Sequence, residues 1–94
     1  MNSETYARPI PGLIWRTLDN ETVLILPNTG RYVIVNEVGT YIWEQVNQSL
    51  SVKEIERLIV ENYAIAPEQA TADIGTFLND LHQKGLIHWE TISG

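Results

Sequence analysis

An α+β domain, with a three-stranded antiparallel sheet packed on three helices, is the fold class this sequence predicts. Two observations carry that prediction. The apolar period changes from about two before residue 36 to about 3.6 after it, and the connections between segments are short. Residues 13–18 read as a first strand, 22–26 as a second and 31–35 as a third, separated by Asp19-Asn20-Glu21 and by Pro27-Asn28-Thr29-Gly30. Connections this short favour antiparallel neighbours, which places the third strand at a sheet edge unless the C-terminal segment pairs with it. Residues 1–11 hold two prolines and little periodicity. They read as an irregular N-terminal arm, leaving 12–94 as a single domain.

The helices announce themselves through their caps. Asn36 can accept hydrogen bonds from the amides of a first turn, and Glu37 suits the positive end of the helix dipole. Val38, Tyr41, Ile42 and Val46 then recur at helical spacing over 37–47, with Trp43 beside them. Ser51 and Glu54 form a capping box for a second helix over 52–63, with Val52, Ile55, Leu58, Ile59 and Tyr63 toward the core. Pro67 fits the first turn of a third helix, whose apolar face is Ala70, Ile74, Phe77, Leu78 and Leu81, and Gly85 ends it. Residues 86–90 read as a short strand or an extended tail.

Composition narrows the function classes. A chain of 94 residues supports one core. Its formal net charge of −6 comes with six basic residues scattered along the sequence, a poor match to a phosphate backbone. The second and third helices resemble a helix-turn-helix, and with the flanking strands the whole is winged-helix-like. Yet the third helix sets Glu68, Asp73 and Asp80 against Lys84 alone, the wrong field for a recognition helix. A winged-helix dimerisation or DNA-binding regulatory module is therefore the alternative reading, with no nucleic acid as the expectation. Cysteine is absent, which removes disulfides and thiolate metal sites. With neither a secretory signal pattern nor a membrane-spanning stretch, the expected location is the cytoplasm, with no membrane partner. His82 and His88, beside Asp80 and Glu90, have no ligand spacing and read as surface histidines. No nucleophile–base arrangement or Gly-rich phosphate loop is present, so neither an enzyme nor a cofactor is expected.

Binding has better support. Val23-Leu24-Ile25-Leu26 is apolar at both parities, so helices on one side of the sheet leave apolar surface on the other. Tyr32-Val33-Ile34-Val35 joins an aromatic to three β-branched residues without a charge or a proline, and only Arg31 blunts that edge. An extended peptide, a second copy of the chain or the N-terminal arm could occupy it. Proline at Val33 is expected to weaken docking by removing an edge amide or by distorting the strand.

These landmarks together resemble the PqqD family of leader-peptide-binding domains, also called RiPP recognition elements. The resemblance rests on Tyr32-Val33-Ile34-Val35-Asn36, Gly39, Ile42-Trp43, Val52-Lys53-Glu54-Ile55, Tyr63, Asp73, Phe77-Leu78, Leu81 and Gly85-Leu86-Ile87. It implies a non-catalytic peptide chaperone in natural-product biosynthesis, of the pyrroloquinoline quinone or another pathway. Such a chaperone binds the leader of a ribosomally made precursor and presents it to a modifying enzyme, such as a radical SAM protein or a leader peptidase. The leader would add as an antiparallel strand between the third strand and the third helix. Carried onto this chain, the peptide-binding positions are Arg31, Tyr32, Val33, Ile34, Val35, Asp73, Phe77 and Asp80. A homodimer is the further partner expectation.

Overall fold

The computed structural model describes residues 3–93. The elements follow in the order β1 (Ser3–Pro9), β2 (Ile14–Leu18), β3 (Glu21–Ile25), β4 (Tyr32–Val35), α1 (Glu37–Asn47), α2 (Val52–Tyr63), α3 (Pro67–Gln83) and β5 (Ile87–Ser93). Two sheets form. β2, β3 and β4 make the expected three-stranded antiparallel sheet, with β4 at one edge, while β1 and β5 pair with each other.

That second sheet corrects the reading of residues 1–11 as irregular, of which residues 1 and 2 lie outside the described residues. Ser3 to Pro9 pair along their whole length with Ser93 to Ile87. Tyr6, Ala7 and Pro9 supply too little periodicity to signal a strand. What holds it is a partner from the far end of the chain: Arg8 Nε donates to Glu90 Oε1 at 2.7 Å, and Ala7 is buried against the helices. The N-terminal segment thus pairs with β5 and not with β4.

The helix boundaries follow their sequence signals. The Gly39 amide donates to Asn36 Oδ1 at 2.9 Å, and Pro67 occupies the first turn of α3. Gly85, at φ +79°, takes the left-handed conformation that lets the chain leave α3 toward β5. Asp19 and Asn20 both have positive φ, as a tight turn twisted to match its flanking strands requires.

The core lies between the inner face of the three-stranded sheet and the helices. Leu24 and Val35 meet Ile42, Trp43 and Val46 of α1, Ile55 and Ile59 of α2, and Ile74, Leu78 and Leu81 of α3. Trp15 sits edge-on to Trp43, with centroids 6.0 Å apart. Trp43 is fully buried, and its Nε1–H has no hydrogen-bond partner among the described residues. An orphaned donor costs about 1–3 kcal/mol, which burying so large a ring more than offsets. Three threonine hydroxyls fasten the β2–β3 hairpin to α1. Thr17 and Thr22 share a hydrogen bond at 2.9 Å, and Thr22 Oγ1 donates to Thr40 Oγ1 at 2.9 Å.

The capping box of α2 makes stability depend on pH. The Ser51 amide donates to Glu54 Oε1 at 2.8 Å, and the Glu54 amide donates to Ser51 Oγ at 3.2 Å. The bond from the Ser51 backbone, then that with its side chain, holds the Glu54 carboxyl below its ordinary value. The folded pKa therefore lies under the unfolded one. The ionised carboxylate contributes stability above the unfolded value, and that contribution is lost as pH falls through the folded value. Ser51→Ala is expected to destabilise the fold by about 1 kcal/mol at neutral pH. Urea midpoints of both proteins should fall on acidification, because alanine keeps the backbone amide that holds the Glu54 carboxylate, and the gap between them should narrow only by the smaller share the Ser51 side chain adds.

Candidate functional site

The open edge of β4 is defined by its hydrogen-bond phase. Leu26 N–H donates to the Arg31 carbonyl at 2.9 Å, which makes Leu26 and Arg31 a hydrogen-bonded antiparallel pair. The register continues as Leu24 with Val33 and Thr22 with Val35. Because bonded and non-bonded pairs alternate, the amides of Val33 and Val35 face β3. Those of Tyr32 and Ile34, with their carbonyls, face outward along the free edge. The edge-amide half of the expectation for proline at Val33 is corrected accordingly: that amide belongs to the internal ladder, and the amides left open on the edge are those of Tyr32 and Ile34.

Side chains follow the opposite logic. Val35, 5% exposed, belongs to the core, and Val33 is half-buried on the same inner face. Tyr32 and Ile34, 64% and 56% exposed, project from the outer face with Ile14 and Leu18. Of the residues expected to bind peptide, Val35 therefore contributes backbone position and core packing, with its side chain turned away from solvent.

α3 forms the wall beside this edge. Phe77 is half-buried, and its ring is seated on α1: a Cβ added at Gly39 would lie 2.9 Å from Phe77 Cε1 and 3.0 Å from Val35 Cβ. Only a glycine leaves room there for the ring and the end of β4 together. A cavity of ≈ 330 Å³ opens at this end, lined by Asn36, Val38, Gly39, Ile42, Ile65, Asp73 and Phe77. At the other end a cavity of ≈ 130 Å³ is lined by Leu26, Arg31, Tyr32, Val33 and Lys84. α3 therefore runs antiparallel to β4, with Asp73 and Phe77 near the end of the strand and Lys84 near its start. Asp80 lies one turn before Lys84 and accepts from its Nζ at 2.9 Å.

The structure thus gathers Asp73 and Phe77 at one end of a groove and Arg31, Tyr32 and Val33 at the other, with Asp80 on the wall near them. Sequence reasoning missed Leu26, Asn36, Val38, Gly39, Ile42 and Ile65 as lining residues. For Gly39 a signal existed, since glycine inside a helix costs about 1 kcal/mol relative to alanine and implies close approach.

A larger concavity of ≈ 360 Å³ lies elsewhere, between Lys53, Glu56, Arg57, Val60, Glu61 and Pro67. It is bounded by helix surface and offers no unpaired strand, so size alone does not make it the acceptor. Among the described residues no three His, Cys, Asp or Glu side chains are grouped to hold a metal ion. His82 lies against Trp89 at 5.8 Å, Asp80 pairs with Lys84, and Glu90 pairs with Arg8.

A small α+β domain with an open edge strand, β4, beside a helix is the class that fold and site define. The chain belongs to the PqqD family: the family described as coenzyme PQQ synthesis protein D matches residues 21–87. Among solved structures, the chain is similar to TbiB1 in complex with the TbiA(β) leader peptide, at 26% identity over 86% of this chain and 94% of that one, with a TM-score of 0.82. A lasso peptide synthetase B1 complexed with its leader peptide shares the fold at 20% identity and a TM-score of 0.81, over 87% of this chain and 96% of that one. So does the PqqD truncation of Methylobacterium extorquens PqqCD, a stand-alone RiPP recognition element, at 24% identity and a TM-score of 0.72, over 87% of each chain. No curated protein sequence matches the chain.

Proposed function

We propose that this chain binds the leader of a ribosomally made precursor peptide as a fourth strand on the β2–β3–β4 sheet and presents the precursor to a modifying enzyme without chemistry of its own. The outward-facing backbone of Tyr32 and Ile34, walled by α3, carries this reading. The likeness to TbiB1, whose structure holds a leader peptide, supports it. An incoming strand gains main-chain hydrogen bonds along β4, while its alternate side chains meet Phe77 and the cavity beside Asp73. A radical SAM protein or a leader peptidase is the kind of enzyme the precursor would then reach.

The test is titration of the chain with the synthetic leader of a short precursor encoded beside it. An affinity near micromolar, about −8 kcal/mol, is expected, because the entropy lost in ordering a flexible leader offsets much of the energy of docking. Amide shifts should concentrate on 31–35 and on the groove face of α3. A dimer by light scattering with no peptide titration would replace this reading with self-association through the exposed outer face of the sheet.

A further inference from the structure

We infer that the groove reads charge polarity: it selects leaders whose docking strand carries a basic residue toward its N-terminal end and an acidic residue toward its C-terminal end. This rests on the leader-binding reading and goes beyond it by naming the class of leader.

The two ends of the groove carry opposite, unneutralised charges. Asp73 lines the cavity at the Asn36 end; its carboxylate accepts from Gln69 Nε2 at 2.8 Å and meets no cation among the described residues. At the other end Arg31 and Lys84 line one cavity. Lys84 is held by Asp80, while the exposed Arg31 guanidinium makes no ion pair among the described residues. Among the described residues, an anion without a counter-ion thus stands at one end and a cation without one at the other.

Strand direction converts these ends into a sequence rule. The sheet is antiparallel throughout, and extending it in the same sense gives the slightly stronger pairing. A strand added antiparallel to β4 enters beside Asn36 and Asp73 and leaves beside Arg31 and Lys84. The spans agree: α3 rises ~16 Å from Asp73 to Lys84, and β4 extends ~17 Å from Arg31 to Asn36. Residues facing the helix recur every second position, so the basic and acidic residues should stand roughly four or six apart. A leader with the order reversed would place like charges together at both ends, and such juxtaposition discriminates between partners more than it adds affinity.

The experiment selects displayed random 15-residue peptides against the full chain and against its Asp73→Lys and Arg31→Glu variants, both altered at exposed positions. Peptides enriched by the parent should carry Lys or Arg before Asp or Glu at the stated spacing. Asp73→Lys should invert the first preference and Arg31→Glu the second. The best peptide and its charge-swapped twin are then titrated by NMR, and the twin should bind about tenfold more weakly, with the difference shrinking at high salt. Equal affinity of the twins, with both shifting the Tyr32 and Ile34 amides, would overturn the polarity rule and leave the strand-addition reading standing. Selected peptides that leave those amides unmoved would overturn both.

Discussion

Ile34→Pro is expected to weaken leader binding by about tenfold or more while leaving the domain folded. The Ile34 amide faces the free edge, so proline there breaks no bond to β3. Its side chain is 56% exposed on the outer face, so little packing is lost. Edge positions whose amide faces solvent are where strands tolerate proline. The incoming strand loses a donor and meets a pyrrolidine ring at its centre. Val33→Pro provides the contrast, because that amide bonds to β3 opposite Leu24; proline there should cost about 3 kcal/mol of stability and affect binding through misfolding. Calorimetry with the leader, beside urea denaturation of both variants, separates the two effects. Unchanged affinity in folded Ile34→Pro would remove strand addition at β4 as the docking mode.

The second large effect is expected at Gly39. Alanine is ordinarily favoured over glycine inside a helix by about 1 kcal/mol. Here the added Cβ meets the Phe77 ring at 2.9 Å and Val35 Cβ at 3.0 Å, so the ring must move. Overpacking of this kind costs about 1–3 kcal/mol. Gly39→Ala should therefore be net destabilising, by roughly 1 kcal/mol, and should weaken the leader by displacing the wall of the cavity it shares with Asp73. In a Phe77→Ala background the same substitution should lose at least half of its penalty, since the closest contact is gone and the Val35 contact alone remains. A double-mutant cycle in urea measures that coupling. An equal penalty in both backgrounds would show that the ring is not what Gly39 accommodates.

Much of this fold is legible in the sequence because its signals are local. Asn36, the pair Ser51 and Glu54, Pro67 and Gly85 mark helix ends through bonds or conformations made within a few residues, and each stands where those signals place it. The β1–β5 sheet is not legible. Tyr6, Ala7 and Arg8 become a strand only through Glu90, Trp89 and His88, and such a pairing leaves no pattern in either segment alone. The site divides along the same line. That Tyr32 to Val35 form an exposed edge strand follows from composition, and Asp73 and Phe77 enter through a family resemblance. Which amides face outward depends on the phase set by the bond from Leu26 to Arg31, a single contact across a turn. Sequence carries no trace of that phase, and composition alone therefore gives Val33 the part that belongs to Ile34.

The pairing of β1 with β5 also bears on the order in which the molecule can be completed. It joins the first described residues to the last, the most expensive loop in the chain to close, so the ribbon is placed late in folding. On a ribosome the delay is enforced, because Ile87 to Ser93 leave the tunnel after β1 to β4 and all three helices. Until then Ala7 and Ile87 are missing from the core, and a nascent chain with its β2–β3–β4 sheet in place would hold an N-terminal strand without its partner. Emergence of β5 then gives β1 its partner and seats Ala7 and Ile87 in the core.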